Sequence, residues 1–146
     1  MRVIIPGKPI AKKRPRFFTK GKFKGTYNPQ RTEEGKFLSL CHEQITWQPV
    51  DVAIGVFMIF RFPRPKSHYG TGKNAEKLKD SAPQYHTQRP DIDKLEKFVS
   101  DCLNGVAWVD DCQVVKCVTQ KEWTDGPGET EIEIFEYFQR GCGYAE

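Results

Sequence analysis

The spacing of apolar residues divides the chain into four predicted strands and two predicted helices. Runs rich in β-branched and aromatic residues predict the strands, and apolar residues three and four positions apart predict the helices. The predicted strands are Arg2–Ile5, Asp51–Phe62, Cys112–Trp123 and Glu129–Phe138. The predicted helices are residues 29–47 and a second helix that Pro90 introduces and Gly105 follows.

Local signals place the ends of these elements. Asn28 and Pro29 are typical of the N-cap and the first position of a helix, and Gly105 is typical of the position just after one. Residues 26–27 predict a short extended piece. In the last strand the alternation of apolar and polar residues changes phase at Phe135, which predicts a bulge.

The order of the elements predicts a single α+β domain over residues 1–146. We expect a small mixed or antiparallel sheet with two main helices packed on it. Residues 63–90 lie between the second strand and the second helix and show no periodicity. A loop of this length is unusual in a compact domain and is often functional. The sequence therefore predicts a long basic loop inside one domain.

The charge of the chain is divided between its two parts. The net charge is only +4, but residues 1–90 hold 18 basic and 6 acidic residues, and residues 91–146 hold 5 basic and 13 acidic residues. A basic part favours a polyanionic partner, and an acidic part favours a site for cations. The content of 38% hydrophobic and 29% charged residues is typical of a globular chain.

Several classes of protein are excluded by what the sequence lacks. The longest apolar run, Val52–Phe60, is too short to cross a bilayer, and no signal peptide is visible. No Walker loop, GxSxG or HExxH motif occurs, so no organic cofactor is expected. The five cysteines are scattered without a CxxC pair, which predicts reduced thiols in a cytoplasmic protein. These cysteines are Cys41, Cys102, Cys112, Cys117 and Cys142.

A basic arm occupies residues 8–24 and is interleaved with aromatic residues. It holds eight positive charges and no acidic residue, with Phe17, Phe18, Phe23 and then Tyr27 among them. Basic residues that alternate with rings favour nucleic acid, because cations bind phosphates and rings stack on unpaired bases. The predicted DNA-binding residues are Lys8, Lys12, Lys13, Arg14, Arg16, Lys20, Lys22 and Lys24, with Lys73 and Arg89 from the loop.

Four aspartates flank the second predicted helix. Asp91 and Asp93 lie at its start, and Asp110 and Asp111 follow its end. If the chain turns back after the helix, Asp111 returns to the helix start and three carboxylates converge. Such a cluster is stable only around a cation, and oxygen donors favour Mg²⁺ or Mn²⁺. The alternatives are that the first pair caps the helix and that the second pair lies in a solvated turn.

The sequence leaves open the role of Lys97 and the possibility of a zinc site. Lys97 is four residues from both Asp93 and Asp101, so it either neutralises a phosphate beside a metal or forms a ladder of surface ion pairs. The residues available for zinc lack the usual ligand spacing, which makes that metal a minor alternative. They are Cys41, His42, His68 and His86.

Three motifs together resemble a known family. They are IPGKPxxKxRPRF near the start, TYNP before the first helix, and PDIDKLEKxxxDxLNGxxWxDDxQV from Pro90 to Val114. In order and spacing they are similar to the RusA-type Holliday-junction resolvases, which phages and prophages often encode. The resemblance spans nearly the whole chain, and its most specific part is the segment from Pro90 to Val114.

The resemblance implies a fold, an activity and a set of site residues. Members are small homodimeric, magnesium-dependent endonucleases that bind four-way DNA junctions and nick two symmetric strands, leaving a 5′-phosphate. The implied metal ligands are Asp91, Asp93 and Asp111, with Asp110 as the fallback and Lys97 as a further catalytic residue. Mn²⁺ is expected to substitute for Mg²⁺. Lys94 stands where the family usually has Asn, which adds charge beside the site.

Two other functions remain open from the sequence. A metal-dependent nuclease that acts on flaps, single strands or RNA would need the same carboxylates. A DNA-binding protein without catalytic activity would need only the basic residues. Only tests of substrate and metal binding separate these alternatives from a junction resolvase.

Overall fold

The computed structural model describes residues 1–138, and its centre is a four-stranded sheet. Strand β4 is the central strand, because it pairs with β5 in parallel and with β6 in antiparallel orientation, and β1 pairs with the other edge of β6. The predicted α+β class and mixed sheet are confirmed. The strands are β1 (Arg2–Pro6), β2 (Arg16–Lys20), β3 (Phe23–Tyr27), β4 (Ile54–Pro63), β5 (Val114–Thr124) and β6 (Glu129–Glu136); the helices are α1 (Arg31–Gln44) and α2 (Ile92–Leu103).

Both helices pack on one face of the sheet, and the core lies between the two layers. Helix α1 contacts β1 and α2, and α2 contacts β5. Alternate residues of β4 are fully buried, as the period of a strand requires. The apolar stripe of α2 is buried over its length, and the Phe37 ring of α1 meets the Phe98 ring edge to face at 5.3 Å. The stripe that predicts α2 therefore also fixes which side of that helix meets the sheet.

Helix α1 is shorter than its pattern predicts. The predicted range was 29–47, but the helix begins at Arg31 with Gln30 in the N-cap position, and it ends at Gln44. Asn28 acts one step earlier, where its side-chain oxygen accepts a hydrogen bond from the backbone N–H of Gln30 at 2.9 Å. The prediction of Asn28 as N-cap is therefore wrong, because the chain makes a turn at Pro29 before the helix starts.

The basic arm contains a β-hairpin that its sequence pattern did not predict. Only residues 26–27 were expected to be extended, but β2 and β3 pair in register from Arg16 opposite Tyr27 to Lys20 opposite Phe23. Gly21 lies in the two-residue turn with a φ of +62°, a conformation that glycine adopts without strain. The pattern failed because neither face of this hairpin is buried, so no alternation of apolar and polar residues marks it.

The predicted bulge at Phe135 is absent from the described part of β6. Pairing between β4 and β6 runs without a shift from Gly55 opposite Phe135 to Arg61 opposite Glu129, and the one irregularity lies where Ile54 meets β5. Phe135 continues the alternation on the uncovered face of the sheet. Its ring packs edge to face on Phe57 at 5.2 Å, so an aromatic pair replaces the expected polar residue.

Residues 63–90 contact the ends of β4 and β5. They form two short turns of 3₁₀ helix, Lys66–His68 and Gly72–Asn74. Near the end of the segment the buried His86 ring stacks on Phe62 at 4.0 Å and lies 4.4 Å from Trp123. The stack anchors the segment just before the start of α2.

Within residues 1–138, no helix is both long enough and apolar enough to cross a membrane. Cys41, Cys102, Cys112 and Cys117 are free thiols, and Cys142 lies outside the described residues.

Candidate active site and nucleic-acid interface

The first two candidate carboxylates lie at the N-terminal end of α2. Asp91 occupies the N-cap position with extended backbone, yet within residues 1–138 its side chain accepts no capping hydrogen bond from the helix. The carboxylate is 64% exposed and lies 3.8 Å from Lys94 Nζ. Asp93 follows in the first turn and is also exposed. The helix dipole favours both charges, but neither carboxylate is needed to close the helix end.

The segment after α2 turns back and joins the sheet. Trp108 is fully buried, and the backbone around it exchanges hydrogen bonds with Val50, which precedes β4. The indole N–H of Trp108 donates to Asp111 Oδ1 at 2.8 Å. Asp111 is therefore held by a residue of the core, which fixes where its second oxygen can point.

Asp110 and Asp111 have different roles despite being adjacent. Asp110 Oδ1 accepts from the backbone N–H of Cys112 at 2.9 Å, and its own N–H donates to Gln113 Oε1 at 2.7 Å. This reciprocal pair is a capping box for the 3₁₀ turn Asp111–Gln113. The hydrogen bonds from Cys112 lower the pKa of the Asp110 carboxyl. Asp110 thus closes the turn that presents Asp111.

A cavity of about 410 Å³ lies between α2 and the strands β4 and β5. Asp93 and Asp111 both line it, although they are 18 positions apart in the chain. Glu96 and Lys97 of α2 and Lys116 of β5 also line it. Asp91 lines a separate pocket, together with Arg89, Pro90 and Lys94. The turn after α2 therefore brings two of the three predicted ligands to one cavity and leaves the third in a different pocket.

A basic cavity of about 460 Å³ adjoins the acidic one. The two cavities share Asp93 and Lys97 as lining residues. The basic cavity is lined by Lys12, Lys13, Arg14, Pro15, Asp93, Lys94 and Lys97. A polyanion in the basic cavity would therefore lie directly beside the carboxylates.

Lys12 binds two carboxylates inside the protein. Its Nζ lies 2.9 Å from Glu34 of α1 and 3.1 Å from Asp101 of α2, and only 26% of its side chain is exposed. Burial alone would lower the pKa of Lys12, but the hydrogen bonds to the two carboxylates outweigh it and raise that pKa. Burial likewise opposes the lowered pKa values of Glu34 and Asp101. Hydrogen bonds from Lys12 and Asn28 lower the pKa of Glu34, and hydrogen bonds from Lys97 and Lys12 lower that of Asp101. Lys12 therefore joins the basic arm to both helices.

Lys97 forms one of the ion pairs that its spacing allows, and its role beside a phosphate remains a prediction. Its Nζ lies 2.9 Å from Asp101, which is the predicted ion pair four residues along the helix. Its side chain is nevertheless 64% exposed and lines both cavities. A surface pair of this kind contributes only a few tenths of a kcal/mol, so it does not prevent Lys97 from binding a phosphate.

The remaining predicted DNA-binding residues lie in three places. Arg16, Lys20, Lys22 and Lys24 are exposed on the β2–β3 hairpin. Lys8 and Arg89 line a smaller pocket beside His86 and Trp123. Lys73 is exposed in a 3₁₀ turn of the long loop, and Lys13 is exposed with Glu33 3.3 Å away.

The donor chemistry suits a hard divalent cation, but the carboxylates are not arranged around one point. Asp93, Glu96 and Asp111 supply oxygen donors to one cavity, and oxygen donors are those that Mg²⁺ takes. Among residues 1–138, no group of three His, Cys, Asp or Glu side chains has an arrangement that could hold a metal ion. The metal-binding role of Asp91, Asp93 and Asp111 therefore remains a prediction. The same finding leaves the minor zinc alternative without support in the described part of the chain.

Three residues of the site were missed from the sequence. Glu96 lines the acidic cavity, but a glutamate in an amphipathic helix has no distinguishing signal. Trp108 lies inside the recognised motif, yet only the fold shows its contact with Asp111. Lys121 of β5 donates to the backbone carbonyls of Gln88 and Pro90 at 2.7 and 2.8 Å, and so holds the chain just before Asp91. A lysine within a strand carries no local signal for that contact.

We expect Trp108→Phe to reduce catalysis without unfolding the protein. Phenylalanine keeps most of the buried ring but cannot donate to Asp111 Oδ1, so the carboxylate loses its fixed orientation. Loss of a group that orients a ligand typically costs about 10- to 100-fold in metal affinity or activity. Turnover and Mn²⁺ titration of the variant, with its thermal midpoint, test this expectation. Trp47→Phe is the matched control, because its indole donates to the Ala107 carbonyl instead; equal losses in both variants would contradict the role of Trp108.

Two comparisons show which known proteins the chain is similar to. A model of the family described as Endodeoxyribonuclease RusA matches residues 6–135. The chain is also similar to the uncharacterized protein YqaN of Bacillus subtilis (strain 168), with 29% identity over 129 residues, which are 84% of this chain and 87% of that relative. The family match includes all residues that line the two adjoining cavities.

Proposed function

Because the chain belongs to the RusA family of endodeoxyribonucleases, we propose that it is a magnesium-dependent, structure-selective nuclease that resolves Holliday junctions. Its context would be DNA recombination and repair, in the cytoplasm and within a phage or prophage. The observation that carries the proposal is the pair of adjoining cavities, one acidic and one basic, that share Asp93 and Lys97. A DNA backbone in the basic cavity would place a phosphate beside the carboxylates.

The proposed mechanism assigns a task to each side chain. Asp93 and Asp111, with Asp91 from the N-cap of the same helix as Asp93, would hold Mg²⁺, which would supply a Lewis acid and a bound water of lowered pKa. Trp108 keeps the Asp111 carboxylate oriented. Lys97 offsets the charge that develops on the scissile phosphate. Arg14 and Lys94 bind neighbouring phosphates and so fix the position of the strand. The product strand would carry a 5′-phosphate, which a ligase can seal.

A homodimer is part of the proposal because the target has twofold symmetry. A four-way junction offers two equivalent strands, and a dimer with a twofold axis would supply one site to each. The sheet face away from the helices supports this, since it carries an apolar patch of Phe57, Val118 and Phe135. Val118 and Phe135 are each more than 40% exposed. Sedimentation of the full chain should give twice the monomer mass of 16.9 kDa.

Cleavage of a synthetic mobile junction tests the proposal directly. The protein is incubated with the junction and Mg²⁺ or Mn²⁺, and nicks are mapped on all four strands. We expect paired, symmetric nicks whose products a ligase reseals. A linear duplex, a flap, a single strand and an RNA junction serve as matched controls. Preferential cleavage of one of these controls would make the chain a nuclease with another target. If the protein binds the junction tightly but cleaves it with neither metal, the chain is a DNA-binding protein without catalytic activity.

A further inference from the structure

The β2–β3 hairpin presents its side chains to solvent on both faces. It forms its own two-stranded sheet, and every residue from Arg16 to Tyr27 is exposed except Gly25. Phe17 is 85% and Phe23 is 66% exposed. Apolar rings at such exposure, grouped within 12 residues, mark a surface that another molecule covers.

One face of the hairpin collects three rings. Residues that pair directly across antiparallel strands lie on the same face, so Phe18 shares its face with Gly25, and Phe23 and Tyr27 lie on either side. The Phe18 ring is 6.1 Å from Phe23 and 6.3 Å from Tyr27. It lies so close over Gly25 that an added Cβ would be 2.7 Å from the ring. The glycine therefore leaves room for the Phe18 ring between the other two rings, against which it is tilted by 42° and 54°.

The charges of the hairpin indicate what would cover those rings. Its sequence contains Arg16, Lys20, Lys22 and Lys24 and no acidic residue. Cations that border exposed rings match single-stranded nucleic acid, whose phosphates and base faces are both accessible. In a duplex the base faces are stacked on one another and cannot meet the rings.

The hairpin is continuous with the basic cavity. Arg14 and Pro15 line that cavity, and β2 begins at the next residue, Arg16. At the other end Asn28 donates to Glu34 Oε2 at 2.9 Å, the carboxylate that also binds Lys12. A DNA strand that extends from the basic cavity toward β2 therefore meets the hairpin next.

We propose that the face with Phe18, Phe23 and Tyr27 is a stacking platform for unpaired bases, which a four-way junction presents when its branch point is opened. This rests on the proposed function for the choice of the junction. The platform lets the protein recognise opened DNA by its base faces, independently of the carboxylates that cut it. Phe17 lies on the opposite face and is not part of the platform.

Binding measured without divalent metal separates the platform from catalysis. We expect the double variant Phe23→Ala, Tyr27→Ala to weaken binding of a thymine oligonucleotide about 10- to 100-fold, because each stacked base depends on a ring. Binding of an intact duplex should change less than about twofold, and the slope of affinity against salt should stay the same. The double variant Arg16→Ala, Lys20→Ala, which removes the two cations that pair across from Tyr27 and Phe23, should instead lower that slope by about one for each lost phosphate contact.

Matched variants provide results that would contradict the proposal. Phe23→Leu with Tyr27→Leu keeps the apolar area and should weaken oligonucleotide binding similarly, whereas Phe17→Ala should leave it unchanged. Equal weakening for oligonucleotide and duplex, or no weakening, would overturn the platform. Conversion of a dimer to monomer by the alanine pair would assign the rings to a second copy and overturn it as well. If these variants cleave the junction and bind the oligonucleotide as the native protein does, the platform is refuted and the proposed function stands. If oligonucleotide binding depends on the rings but no DNA is cleaved, the proposed function is refuted and the platform stands.

Discussion

Asp111→Asn is expected to lower junction cleavage by roughly 10³-fold or more, which corresponds to about 4 kcal/mol of activation free energy. Asparagine has the same shape, and its side-chain oxygen can still accept from the Trp108 indole. The fold should therefore remain, while the charge that would hold Mg²⁺ is lost. Junction affinity should be unchanged or higher, because one repulsion between carboxylate and phosphate disappears. Single-turnover cleavage and a gel-shift assay measure the two quantities separately.

The neighbouring aspartate provides the control for this prediction. Asp110→Asn makes the same chemical change one position earlier, and the amide oxygen can still accept from the N–H of Cys112. We expect its cleavage rate to stay within about threefold of the native protein, since a cap replaced by asparagine loses little. Asp91→Asn and Asp93→Asn should behave like Asp111→Asn. Equal losses at Asp110 and Asp111, or loss of binding together with cleavage, would refute the proposed ligand set.

Lys12→Met should destabilise the protein by roughly 1–3 kcal/mol, between the value of a surface ion pair and that of a fully buried one. Methionine keeps roughly the length of the side chain, but Glu34 and Asp101 lose the cation that they share. Lys13→Met is the matched control, because Lys13 is 56% exposed and forms only a 3.3 Å pair with Glu33. Urea unfolding of both variants measures the difference, and similar midpoints would show that Lys12 does not link the helices.

The pH dependence of the same network has a defined direction. The folded-state pKa values of Glu34 and Asp101 lie below their ordinary 4.5 and 3.8, so their contribution is fully present above those values and is lost as the pH falls through the lowered ones. The raised pKa of Lys12 gives a contribution that is fully present below 10.5 and is lost as the pH rises above it. The difference in unfolding free energy between native protein and Lys12→Met should therefore be largest between about pH 5 and 10 and should shrink below pH 4. A difference that is constant down to pH 2 would contradict this.

The elements that bury an apolar face could be predicted from the chain alone. The stripe of α2 repeats every three to four residues because only that spacing puts its apolar side chains against the sheet. The same reasoning holds for β4, whose long apolar run reflects burial in the centre of the sheet. Gly105 marks the end of α2 correctly, since it has a φ of +78° that other residues avoid.

The candidate site could be predicted only in part, because local sequence shows its residues but not their contacts. Asp91, Asp93 and Asp111 are visible as a pattern, because the turn after α2 is short and carries its own signals. The pattern does not show that Asp93 and Asp111 line one cavity while Asp91 lines a different pocket. It also does not show that Asp110 caps a turn, because two adjacent aspartates have equal local propensity and differ only in their hydrogen bonds.

The amino-acid order alone established the class of the domain, the buried stripes, the division of charge and the motifs of the family, since all of these arise from neighbours along the chain. Tertiary structure decided which charged groups act on one another. Lys12 is one basic residue among eight in its arm, and it becomes an internal link only because α1 and α2 place Glu34 and Asp101 on either side of it. Electrostatic interactions depend on distance in space and on burial, and neither quantity is written in local sequence.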